Sequence, residues 1–193
     1  LTFPAGGGAK FVAAMDECIQ LLKSNIPTVL GSEKADMESR AIRATYQDRK
    51  TALMDDIKKE AAEAGFSIVN VPVAPGEFRP DVLPVIEDET VTFDTLQQMM
   101  DEGKLKEEDL RKYMELHEEL FKKLTSAFRK TRDMEIEIQI KLEKMYRRLV
   151  KPTISGIISI LKEIGDDKAD KWADSLVEII LENLKDFAES SEG

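Results

Sequence analysis

The sequence predicts a mainly α fold: a long antiparallel coiled-coil arm, a small helical bundle, and a short two- or three-stranded β element in the middle. Three observations predict it. Residues 104–149 contain neither Pro nor Gly, and their apolar residues recur in steps of three and four. Two more stretches with helical spacing precede them. Between lie residues 66–93, where Pro72, Pro75, Pro80, Pro84 and Gly76 punctuate short β-branched runs.

The first helix follows the flexible opener Gly6-Gly7-Gly8. Phe11, Met15, Cys18 or Ile19, Leu22, Ile26 and Val29 fall on one face. Pro27 lacks an N–H and clashes with the preceding turn, so a break or kink is expected near Asn25. Ser32 is the expected N-cap of a second helix, with Ala35 beginning its face. That helix, 33–64, is rich in Ala, Lys, Glu, Arg and Met, and its apolar face is Ile42, Tyr46, Leu53, Ile57 and Ala61, interrupted by Arg49. Gly65 is its expected C-cap.

In the middle region, 67–71, 82–83 and 90–93 read as short strands, which the prolines restrict to edges or loops. Asp94 or Thr95 is expected to cap a short helix through Met100, closed by Gly103.

The long helix follows. Its seam reads Tyr113, His117, Leu120, Leu124, Ala127, Thr131, Met134, Ile138, Leu142, Met145 and Leu149, a heptad pattern with a stutter. Leu110, Met114, Phe121 and Phe128 widen the apolar face at its start. At about 1.5 Å per residue the helix spans roughly 70 Å, too long to stand without partner helices. The run from Glu135 to Ile140 alternates like a strand, yet heptads continue on both sides. On a helix Ile138 stays in the seam, while Ile136 and Ile140 lie about 200° from it at about 100° per residue. Those two are expected to meet a second layer of protein, from the C-terminal helices or the base of the domain. Lys151-Pro152 should separate the long helix from a further one at 154–164. Gly165-Asp166-Asp167 reads as a turn, and a last helix at 169–187 carries Trp172, Leu176, Ile179, Ile180, Leu184 and Phe187. The expected division is 1–149 for the arm, including the β element around 66–93, and 150–193 for C-terminal helices packed at the base of the long helix.

Composition excludes several classes of function. Lys and Arg number 28 against 38 Asp and Glu, a net charge of −10, which opposes binding to nucleic acid or an anionic membrane. The chain has one Cys and one His, so a Cys/His zinc site or a disulfide framework cannot be assembled. No apolar run reaches the length of a membrane span and no signal peptide opens the chain. The lone Cys fits a reducing, cytoplasmic setting. The first residue is Leu, which reads as a segment of a longer chain.

The opening Phe3-Pro4-Ala5-Gly6-Gly7-Gly8-Ala9-Lys10-Phe11, followed by Met15-Asp16, resembles the segment by which Lon-like proteases of the LonC type enter a helical insertion. Ile26-Pro27 before a charged helix, Ala64-Gly65-Phe66 before a short strand, and Trp172 with Ser175-Leu176-Val177, Ile180-Leu181-Glu182-Asn183-Leu184 and Phe187 at the close are similar to the same family, in order. The resemblance implies an inserted coiled-coil domain of an AAA+ protein whose ring is a hexamer and whose protease domain uses a Ser-Lys dyad. It also implies that the nucleotide-binding loop lies before Leu1 and the protease after Gly193. Gly6 to Lys10 has neither the spacing nor the Ser or Thr of a phosphate-binding loop, and reads as a hinge.

Catalytic candidates are scarce. His117 falls on the long-helix seam, where a polar residue sets register. Cys18 lies on an apolar face, where a thiol behaves as a small hydrophobe. The acidic pairs Asp55-Asp56, Glu107-Glu108, Glu118-Glu119 and Asp166-Asp167 read as solvated faces and helix starts, and none matches an EF-hand loop. No catalytic, cofactor or metal residue is assigned. Phe66, Phe78, Val82 and Leu83 of the proline-rich element are the candidate contacts to a substrate or partner, because such loops can expose apolar side chains. The expected function is that of an accessory domain of a Lon-like protease, acting in capture or gating of unfolded proteins or in contact with neighbouring subunits. The alternative is a stand-alone coiled-coil chaperone or adaptor, which explains the heptads and acidity but not the opening and closing segments.

Overall fold

Residues 7–163 and 167–189 are described by the computed structural model. The opener before Gly7, the turn at Gly165-Asp166 and the tail after Glu189 lie outside the described residues. The elements run α1 (Gly7–Leu30), α2 (Glu33–Glu63), β1 (Phe66–Ala74), β2 (Glu77–Ile86), β3 (Glu89–Thr90), α3 (Phe93–Asp101), α4 (Glu107–Lys162), α5 (Asp167–Glu182) and α6 (Leu184–Glu189). The chain is mostly helical with one small antiparallel sheet, as its periodicity predicts.

It divides into two compact units, Leu1–Ala44 with Ile138–Gly193, and Thr45–Glu137. This differs from the expected 1–149 and 150–193. The reason is α1: its Ala14, Cys18, Leu22 and Ile26 share a core with Val150, Ile154, Ile158 and Leu161 of α4 and with Ala173, Val177, Ile180 and Leu181 of α5. The ring of Phe11 meets Trp172, centroids 5.7 Å apart. Cys18 is buried and its thiol donates to the Ile157 carbonyl at 3.4 Å. Lys151 and Lys162 of α4 pair with Glu178 and Asp174 of α5 at 2.7 and 2.6 Å on the outside of this unit.

Neither proline breaks its helix. Pro27 lies in the last turn of α1, and Gly31 N–H still reaches the Pro27 carbonyl at 2.8 Å. The Asn25 amide and Thr28 hydroxyl on either side of the proline donate to the Leu21 and Ser24 carbonyls, each at 2.8 Å. Ile26 beside it is fully buried. Pro152 lies well inside α4, which runs 56 residues rather than ending near Leu149. An interior proline costs about 3 kcal/mol or more. Each buried Val, Ile or Leu contributes about 1.5–3 kcal/mol, so Val150, Ile154, Ile158 and Leu161 together outweigh it.

In the second unit α2 and α4 run antiparallel, since Lys50 pairs with Glu135 at 3.2 Å and Glu60 with Lys123 farther along. The α4 seam from Tyr113 to Met134 is buried or half-buried, whereas Met114 and Phe128 of the second stripe are 57% and 41% exposed. Ile136 in this unit and Ile140 in the first are 54% and 46% exposed, so the expected second layer does not cover either one.

Ser32 caps α2 through its hydroxyl, which accepts from Ala35 N at 3.3 Å. Gly65 ends the turn after α2 at φ +78°, a conformation that disfavours any side chain. The cap of α3 is Thr92, not Asp94 or Thr95: its hydroxyl accepts from Thr95 N at 3.2 Å. Taking Thr92 as cap makes Phe93 the first helical residue. The third strand is therefore only Glu89–Thr90, shorter than the expected 90–93.

Candidate functional site

The β hairpin of the second unit holds all four predicted contact residues, and it places them in different environments. β1 and β2 pair antiparallel, Phe66 opposite Pro84 and Ile68 opposite Val82. At this end Phe66 and Val82 are buried with Ala61 of α2 and Leu120 and Leu124 of α4. Phe66 also meets the edge of Tyr113 at 6.0 Å. These two residues build the core and cannot present themselves to a partner. Leu83 is half-buried opposite Ser67. Phe78 alone of the four is fully presented, at 66% exposure.

Phe78 owes its position to the far end of the hairpin. Gly76, at φ +81°, makes the turn with Pro75. A register shift between Pro72 and Ala74 leaves Val73 as an extra residue, 55% exposed. Two apolar side chains, Val73 and Phe78, thus project where the hairpin has passed beyond its helical support. The bulge that turns Val73 outward has no local signature in the sequence.

A second cluster stands where β2, α3 and α4 meet. His117 Nε2 lies 3.2 Å from Asp81 Oδ1, and that same oxygen accepts the Val82 N–H at 2.8 Å. The imidazole stacks on Phe121 at 5.7 Å and meets Phe93 edge-on at 4.7 Å. The Arg79 guanidinium lies 5.9 Å over the Phe121 ring. An open cavity of about 430 Å³ adjoins the cluster, lined by Phe93, Arg111, Met114, Glu115, His117 and Glu118. The lining has no Ser, Thr, Cys or Lys, so the His–carboxylate pair has no nucleophile there to activate. Its geometry suits fastening β2 to α4. Sequence reasoning placed His117 on the seam but had no signal for Asp81, which is 36 residues away.

Among the described residues no group of three or more His, Cys, Asp or Glu is placed to hold a metal ion. No described helix is long and apolar enough to cross a membrane. Glu118 and Glu119 are held below the usual carboxylate range by hydrogen bonds from Lys122 and Lys123, ordinary helix-surface pairs. The chain matches no protein-family model, no curated protein and no solved structure.

Proposed function

We propose that the chain is an accessory helical domain of a Lon-like, AAA+-type serine protease, with no catalysis of its own. Its contribution in that reading is to contact unfolded protein substrates, or neighbouring subunits of a hexamer, in the cytoplasm. The observation that supports it is the apolar hairpin end, where Val73 and Phe78 are 55% and 66% exposed in a chain whose charged residues make up 34%. The collinear resemblance of the opening and closing segments supplies the family.

Two tests address the reading. The parent reading frame should encode an AAA-type module before Leu1 and a Ser-Lys protease after Gly193; a frame lacking both overturns the family assignment. In the full-length enzyme, Val73→Ser with Phe78→Ser should weaken capture of an unfolded protein while leaving hydrolysis of a short peptide unchanged. Equal capture by the variant removes the hairpin from the mechanism. The paired helices α2 and α4 of the second unit also suit a stand-alone coiled-coil adaptor. That reading takes precedence if the frame ends near these positions.

A further inference from the structure

The two edges of the sheet are built differently. Strand order is β1-β2-β3, so the outer side of β1 pairs with no strand among the described residues. Val85 N donates to the Gly65 carbonyl at 2.8 Å, which makes that pair a hydrogen-bonded one. Antiparallel pairs alternate. In β1, therefore, Ser67, Val69 and Val71 bond to β2, while Ile68 and Asn70 turn their N–H and C=O groups outward.

The same alternation turns Pro80, Val82 and Pro84 outward on β2. Two of these have no N–H, and the third gives its N–H to the Asp81 carboxylate at 2.8 Å. The Pro84 carbonyl is taken by Val91 N at 2.9 Å. β2 also carries Glu77, Arg79 and Asp81. These are the devices by which sheets prevent edge pairing. β1 has none of them along Ser67-Ile68-Val69-Asn70-Val71, and no charged residue anywhere from Phe66 to Ala74. Pro72, which is also turned outward, and the bulge at Val73 limit the open stretch at its far end.

We infer that the open edge of β1 at Ile68 and Asn70 receives an extended, uncharged polypeptide segment as an added strand. The inference rests on reading the hairpin as a polypeptide-contacting surface, and gives that contact a chemistry. Backbone groups on the peptide pair with those of Ile68 and Asn70, so recognition depends on extension more than on side-chain identity. With no charge along β1, no ion pair is available there to offset the desolvation of a charged segment, so apolar or neutral segments are favoured. A second copy of the chain is the less suited occupant, because each copy brings a net charge of −10.

The test uses the 193-residue chain and a fluorescein-labelled peptide of alternating Thr and Val, read by anisotropy and by amide hydrogen exchange. The peptide should bind, and at saturation exchange at Ile68 and Asn70 should slow about tenfold or more. The same peptide N-methylated at alternate residues should bind at least about tenfold more weakly, since one edge then lacks donors. Asn70→Pro, at an exposed position with its N–H outside the β1–β2 ladder, should match that loss while the circular dichroism of the folded chain is retained. If the N-methylated peptide binds equally well, or Ile68 and Asn70 stay unprotected, strand addition is overturned; binding then lost on Val73→Ser with Phe78→Ser leaves the hairpin-contact reading standing. No binding of any peptide overturns both. A concentration-dependent dimer abolished by Asn70→Pro overturns the inference in favour of a second copy.

Discussion

His117 of α4 and Asp81 of β2 meet at 3.2 Å through Nε2 and Oδ1, and the same Asp81 oxygen holds the backbone N–H of Val82 at 2.8 Å. One carboxylate thus fastens the edge of β2 to the long helix. Removing it leaves the Val82 N–H without its acceptor at a fully buried residue. Asp81→Ala should therefore destabilise the second unit by about 1–2 kcal/mol. Asp81→Asn, which keeps an acceptor oxygen, should cost about half of that or less. Urea denaturation followed by circular dichroism separates the two, and equal losses would show that the charge rather than the acceptor matters.

Phe66 and Phe78 share a hairpin but not an environment, so their substitutions should diverge. Phe66 is 2% exposed among Ala61, Leu120 and Leu124, and Phe66→Ala should cost about 3–5 kcal/mol. Phe78 is 66% exposed, and Phe78→Ser should change stability by no more than about 0.5 kcal/mol. Comparable losses in a denaturation series would contradict the hairpin register.

That contrast shows what the sequence made legible. The α4 seam was readable because a helix repeats one chemical choice every three or four residues, and Leu120, Leu124, Leu142 and Met145 are all buried. The hairpin was readable as β-branched runs between prolines, but which of its side chains are covered depends on helices far away in the chain. Phe66 and Phe78 look alike locally; only packing on Leu120 and Leu124 distinguishes them. Pro27 and Pro152 misled for the same reason, since the local penalty is visible and the distant burial that outweighs it is not. The Asp81–His117 pair and the Val73 bulge likewise depend on contacts and register that no short window contains.

Thr131 sits on the seam of α4, 7% exposed, and its hydroxyl oxygen is buried with no hydrogen-bond partner among the described residues. A buried hydroxyl left unbonded costs about 1–3 kcal/mol. Thr131→Val keeps the shape and removes the polar atom, so it should raise stability by about 1 kcal/mol. A lower urea midpoint for the variant would mean that the hydroxyl is satisfied in solution.

Burial pushes the Cys18 thiol up, and the Glu17 carboxylate adds to the shift. The folded protein then keeps this proton where the unfolded chain has released it. Stability is complete below the ordinary thiol value, about 8.5, and falls as pH rises through and above it. The melting temperature should drop between pH 7 and pH 10 more steeply in the native chain than in Cys18→Ala. Iodoacetamide should label Cys18 quickly only in denaturant. Identical slopes, or rapid labelling of the folded chain, would contradict the burial of this thiol.

Pro152 tests how far packing dominates local propensity. It is exposed within α4, and the core contacts that carry the helix through it come from Val150 and Ile154 on either side. Alanine at 152 restores an N–H that can reach the Arg148 carbonyl and removes the ring clash, while leaving those buried neighbours in place. An interior proline is about 3 kcal/mol less favourable than alanine, and a helix already relaxed around the ring recovers only part of that. Pro152→Ala should therefore stabilise the first unit by about 1–3 kcal/mol, with a higher urea midpoint and slower amide exchange in the turn around Ile154. If instead the variant is less stable, the bend that proline imposes is needed to seat Ile154 and Ile158 against α1 and α5, and the helix continues because of the proline rather than in spite of it.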